Sequence, residues 1–98
     1  MKRAVTFGIL LLGLAVPALA QPPMPYGAVP PPRYESPPPP PGERYVWEPG
    51  HWHWNGGQYV WIGGHYVIRE VRYHRWIVGH WVWSAQVGQW VWRPAHWE

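Results

Sequence analysis

The stretch "YVWEPGHW", residues 45–52, returns as "YVWIGGHY" (59–66) and "WVWRPAHW" (90–97), with a looser copy, "HRWIVGHW", at 74–81. Aligned on their first tryptophan, Trp47, Trp61, Trp76 and Trp92, the copies step by 14, 15 and 16 residues. His51, His65, His80 and His96 follow that tryptophan at a constant offset of four. A period of that size suits one strand and one turn, and is too short for a helix pair. Tyr-Val-Trp and His-Trp-His-Trp alternate as strands do, and "NGGQ" (55–58) is a hairpin signal. Weaker turn signals fall at 69–72 and 85–88. The pattern predicts an all-β fold over 45–98: a small antiparallel meander of about four bulged strands.

The middle of each copy carries the geometry. In a straight strand Trp47 and Trp52 point to opposite faces, because side chains alternate. One extra residue at the Pro-Gly, Gly-Gly, Val-Gly or Pro-Ala pair acts as a β-bulge and restores the phase. Trp47, Trp52, Trp54, Trp61, Trp76, Trp81, Trp83, Trp90, Trp92 and Trp97 then share one face with Tyr45, Tyr59 and Tyr66. The histidines fall on the other face with Val46, Val60, Ile77 and Val91. The competing geometry is a tight turn at each pair, giving about eight very short strands. Proline belongs at sheet edges or bulges, and it occurs here only in the first copy (Pro49) and the last (Pro94).

The rest of the 98-residue chain is punctuation around this region. Residues 1–20 read as a secretory signal peptide: Lys2 and Arg3, an apolar run, and "ALA" at 18–20. No other run is apolar and long enough to span a bilayer. Residues 21–44 hold eleven prolines. They predict a disordered polyproline II linker with a reach of roughly 60–70 Å at about 3.1 Å per residue. It would serve as a spacer, a tail, or a ligand for a proline-reading domain. Beyond residue 20, six arginines face five glutamates, a net +1, which makes nucleic acid a poor partner. The chain has no cysteine, hence no disulfide or thiolate metal site.

"WEPGHW" (47–52) and "WIVGHW" (76–81) fit Trp-x-x-Gly-x-Trp. With the preceding "YVW" and the signal segment, the chain resembles the small exported WXXGXW (or YXWGXW) repeat proteins of Gram-negative bacteria. The resemblance covers about residues 45–98. Tyr66 and Ala95 depart from the pattern. It implies a cell-envelope location, in the periplasm or secreted, and no established activity.

The side chains argue against catalysis. Beyond residue 20 there is no Cys, Asp, Lys or Thr, the only serines are Ser36 and Ser84, and no glutamate repeats with the copies. No cofactor site is expected. Flat rings along a strand face, Trp47, Trp52, Trp54, Trp61, Trp76, Trp81, Trp83, Trp92 and Trp97, suit a glycan or a protein partner. The plain alternative makes them a core, shared across a dimer seam if the face is uncovered. Divalent metal (Zn, Cu or Ni) is the second possibility, through His51, His53, His65, His80 and His96, since His-x-His puts two imidazoles on one side of a strand. Against it stands a histidine that merely packs beside the bulge and bonds the backbone. A histidine-driven pH response needs no metal. Assembly through an open edge, as a discrete homodimer, is the third.

Overall fold

The structure is a computed structural model and describes residues 21–98; the expected signal segment lies outside the described residues. There is no helix among the described residues, and none long and apolar enough to cross a membrane. Eight short strands follow one another: β1 (Tyr45–Glu48), β2 (His51–Trp54), β3 (Tyr59–Ile62), β4 (His65–Ile68), β5 (Trp76–Ile77), β6 (His80–Ser84), β7 (Gln89–Arg93) and β8 (His96–Trp97). All pairing is antiparallel: β1 with β4, β2 with β3, β5 with β8, and β6 with β7.

These pairs make two long, interrupted hairpins. In the first, β1–β2 runs against β3–β4 around the turn at 55–58. In the second, β5–β6 runs against β7–β8 around the turn at 85–88. The all-β antiparallel class expected from the repeat is present, but the grouping differs from a single meander. The second copy does not pair with the third. Val71 and Arg72 form a turn there, closed by the Tyr73 amide donating to the Glu70 carbonyl at 3.0 Å, and the chain starts a new hairpin. The physical reason is the tip chemistry. Asn55 Oδ1 accepts from the Gly57 and Gln58 amides, both at 2.9 Å, and Gly56 takes a φ of 103°. Gly88 takes a φ of 70° as its amide donates to the Ser84 carbonyl at 2.8 Å. Glycine reaches these angles without steric cost, so the two tips lock; Arg69–Arg72 offers no comparable residue.

The bulge expectation is also corrected. Register runs straight through each interruption: Glu48 faces His65 and His51 faces Ile62, so Pro49–Gly50 lies opposite Gly63–Gly64. Ile77 faces His96 and His80 faces Arg93, so Val78–Gly79 lies opposite Pro94–Ala95. Neither arm carries an extra residue. Both lapse together: the eight short strands of the competing picture are present, but without a tight turn at any of the pairs.

The lapse nevertheless turns the indoles the way a bulge would. Six cross-strand aromatic pairs result: Trp47–Tyr66, Trp52–Trp61 and Trp54–Tyr59 in the first hairpin, and Trp76–Trp97, Trp81–Trp92 and Trp83–Trp90 in the second. Each is edge-to-face, with centroids between 4.9 and 5.8 Å. That geometry suits the ring quadrupole, and such a pair contributes about 0.5–1.5 kcal/mol beyond its area. All ten tryptophans are used, but on two hairpin faces and not on one common platform.

No side chain among the described residues is fully buried. Stability comes from half-covered rings pressed against one another. The second hairpin lays its aromatic side along the β1–β2 arm. Trp76 tilts against His51 at 5.2 Å, Trp81 meets Trp54 edge-on at 5.4 Å, and Trp97 Nε1 donates to Glu48 Oε1 at 3.1 Å. Trp81 Nε1 donates to the Tyr59 hydroxyl at 2.9 Å.

Candidate functional site

An aromatic hairpin face leaves its rings half in water unless something lies on it. The sequence supplies no helix to cover it, and the expected alternatives were an open ligand face and a core shared with a second copy. The structure closes the first hairpin's platform with the proline-rich segment itself. Residues 21–40 carry no helix or strand and run along the face as a strap, in place of a free spacer.

The chemistry of proline explains the contact. A proline-rich chain has few N–H groups and leaves its carbonyls unpaired. Trp and Tyr offer an apolar face beside one N–H or O–H donor. From the start of the strap, Trp90 Nε1 donates to the Pro22 carbonyl at 3.1 Å, and the Tyr59 hydroxyl to the Gly27 carbonyl at 2.5 Å. Trp52 Nε1 donates to the Pro31 carbonyl at 3.0 Å, and the Tyr66 hydroxyl to the Pro38 carbonyl. Tyr26 stacks on Trp81 at 4.6 Å and tilts on Trp54 at 5.1 Å, tying both hairpins under one residue of the strap.

Two charged side chains anchor the centre. The Arg33 guanidinium lies over Trp52 at 4.9 Å and over Trp61 at 5.5 Å, a cation–π contact with both members of one cross-strand pair. Glu35 reaches into the interruption. Its carboxylate accepts the Gly64 amide at 3.0 and 3.2 Å and Trp61 Nε1 at 3.2 Å. Tyr34 between them is 90% exposed and points away.

The interruption is built to receive that carboxylate. Trp47 leans over Gly64 and Trp61 over Gly50, so a Cβ at either glycine would collide with an indole and with Glu35. The histidine of each copy takes the carbonyl two residues before it: His51 Nδ1 with Pro49 at 2.9 Å, His65 with Gly63 at 3.0 Å, His80 with Val78 at 2.8 Å and His96 with Pro94 at 2.9 Å. A carbonyl only accepts, so Nδ1 carries the proton in all four rings. These histidines therefore fasten the lapse; Nε2 of His65 faces Glu48 Oε2 at 3.3 Å and Nε2 of His96 faces Glu98 Oε2 at 3.6 Å. Among the described residues no three His, Cys, Asp or Glu side chains gather about one point. The row of four histidines across one sheet does not form, because the second and third copies are not neighbours.

Of the ring residues singled out by sequence, Trp52, Trp54 and Trp61 lie under the strap and Trp47 walls the Glu35 notch. Trp81 meets its leading end through Tyr26. Trp76 and Trp97 turn to the β1–β2 arm, and Trp92 lies over Gly79 with the Trp52 carbonyl beside it. Trp83 packs on Trp90 at the second tip. His53 sits in β2 opposite Val60. Sequence reasoning missed Tyr26, Arg33, Glu35, Gly50, Gly64 and Glu48. One signal was readable: Arg33 and Glu35 are the only charged residues between Gln21 and Gly42.

The far corner holds charges with a structural task. Arg75 donates to Glu98 Oε1 through Nε at 3.0 Å and through Nη2 at 2.5 Å, while their backbones exchange hydrogen bonds. The bonds from Arg75, and then its charge, hold the Glu98 carboxyl below the usual carboxylate range. A depressed carboxyl adds stability above its unfolded-state pKa, and that stability fades as pH falls through the folded value. Arg75→Ala should return the Glu98 titration toward ordinary values and flatten the acid end of the stability profile, which an NMR titration of the side-chain carboxyl would read.

The two hairpins coincide with the units found by comparison. The description "WXXGXW repeat (2 copies)" matches residues 45–65 and 72–98, one match on each hairpin. The chain belongs to the WXXGXW repeat family. No curated protein matches it, and no solved structure does. In this member the WXXGXW spacing has a structural meaning: the glycine of one copy is where the first tryptophan of the facing copy rests. Trp47 rests on Gly64, Trp61 on Gly50, and Trp92 on Gly79.

Proposed function

We propose that this WXXGXW repeat protein is a non-catalytic, exported binding module of the bacterial cell envelope, whose aromatic hairpin holds an extended proline-rich polypeptide chain. The observation that carries this reading is the strap: residues 22–38 already lie on the rings as such a ligand, in cis. Grooves that read proline-rich chains work by the same physics, aromatic walls against a stiff chain that loses little entropy on docking. The order of charge, apolar run and small residues in 1–20 supports export, and the family resemblance supports the envelope of a Gram-negative bacterium. A glycan would have to displace the strap to reach Trp52 and Trp61.

The test is a protease site inserted between Pro40 and Glu43 of the exported chain. After cutting, the 21–40 fragment should stay bound, exchange with added synthetic strap, and rebind saturably with a change in tryptophan fluorescence. A fragment that leaves at once and never returns would refute the reading.

A further inference from the structure

We infer that the notch between Trp47, Trp61, Gly50 and Gly64 is a carboxylate receptor, and that it selects extended proline-rich segments bearing a glutamate at the position Glu35 now fills. This rests on the proposed function and names the ligand feature that the site reads.

The argument begins with the lapse in pairing. Gly64 lies opposite Pro49, which has no N–H and whose carbonyl is taken by His51 Nδ1. The Gly63 carbonyl is taken by His65 Nδ1. The histidines thus remove two acceptors from the lapse and leave the Gly64 amide facing outward beside the Trp61 indole N–H. Two donors converge on one point, walled by apolar rings and with no side chain at 50 or 64 to fill it. A carboxylate is the group that fits: it only accepts, it spans two donors, and bonds from N–H groups to an anion are about twice as strong as neutral ones. Glu35 uses both donors. Arg33, two residues earlier, keeps its charge over Trp52 and Trp61, so the segment is read as cation, spacer, anion between prolines.

The second hairpin shows the same lapse put to another use. A Cβ at Gly79 would meet Trp92 and stand 3.3 Å from the Trp52 carbonyl, so this seat is filled by the first hairpin's own backbone. Val29, Pro30 and Pro32 of the strap border a cavity with Val78 and Gly79, but the strap's carboxylate goes to the first hairpin's notch.

The test uses the full exported chain. Glu35→Gln keeps the shape and removes the charge; Glu35→Ala removes the anchor and leaves the prolines. Hydrogen exchange at the Gly64 amide and the Trp61 indole reports the strap's opening, which should rise about ten-fold in Glu35→Gln, as expected for a lost charged hydrogen-bond acceptor. A synthetic peptide of residues 30–40 should bind the Glu35→Ala chain and protect Trp61. The same peptide with glutamine at the glutamate position should bind at least ten-fold more weakly. Equal binding of both peptides overturns the carboxylate receptor and leaves the proline-binding reading standing. Binding of neither peptide, with Trp52 unprotected in the unmodified chain, overturns both. Tighter binding of a polyuronate than of the glutamate peptide overturns the polypeptide assignment in favour of an acidic glycan.

Discussion

Replacing Gly64 with valine should unfold the protein, while Gly63→Ala, one residue earlier, should leave it folded. The two glycines share a dipeptide, and neither has the positive φ that would demand glycine on backbone grounds. Space separates them. A Cβ at Gly64 would overlap the Trp47 indole and stand 2.6 Å from Glu35 Oε1, whereas at Gly63 its nearest neighbour is Glu35 Oε2 at 3.8 Å, ordinary contact. Valine at 64 must push Trp47 off Tyr66 and expel the Glu35 carboxylate. Overpacking of this kind costs about 1–3 kcal/mol, and losing the anchor adds about 1.5 kcal/mol more. With no fully buried side chain to fall back on, a domain of marginal stability does not survive a loss of that size. Urea melts followed by near-ultraviolet circular dichroism, which reports the coupled indoles, would show it. A Gly64→Val protein that melts like the parent would mean that the indole does not rest on this glycine. Gly50→Val and Gly79→Val should behave alike, since each faces the indole of the opposite copy.

The strand content was legible because it rests on local pattern. Alternation, the repeat and the two glycine-containing tips act over a few residues, and each appears where the sequence places it. The turning of the indoles to one side within each hairpin was legible too, although by a lapse of both arms and not a bulge in one. Pairing between copies was not readable, since a repeat is equally consistent with four strands in one sheet and two separate hairpins. Tip chemistry decided it, and Asn55, Gly56 and Gly88 outweigh anything at 69–72. The strap was hidden for a different reason. Proline carbonyls become ligands only when donors face them, and the alignment of Trp52, Tyr59 and Tyr66 along one face exists only after folding. Composition alone made residues 21–44 look like a spacer. The histidines were legible as repeated but not as to purpose: the i−2 carbonyl they fasten is invisible without the lapse.

Trp61→Ala should be the most damaging substitution among the rings, and Trp92→Phe, at the corresponding position of the fourth copy, among the mildest. Trp61 does four things at once. It meets Trp52 edge-on at 5.2 Å, lies over Gly50, lies 5.5 Å from the Arg33 guanidinium, and donates to Glu35 at 3.2 Å. Truncating a large aromatic costs about 3–5 kcal/mol when it is fully buried, so a half-buried ring with these contacts should cost about 3 kcal/mol. The strap should loosen as well, which a fluorescence shift of Trp52 toward water-exposed emission would report. Trp92 also lies over a glycine and meets its cross-strand partner, Trp81, at 5.3 Å, yet its Nε1 is buried and finds no acceptor among the described residues. A buried donor without a partner is unfavourable, and phenylalanine removes it along with part of the ring. The two terms oppose each other, so Trp92→Phe should stay within about 1 kcal/mol of the parent. Trp61→Phe should lose about 1.5 kcal/mol, because the donor it removes serves a carboxylate. Equal losses in the two phenylalanine variants, measured by denaturant melts, would show that the Trp61 donor contributes nothing to holding Glu35, and the strap would then be fastened by its proline carbonyls and Arg33 alone.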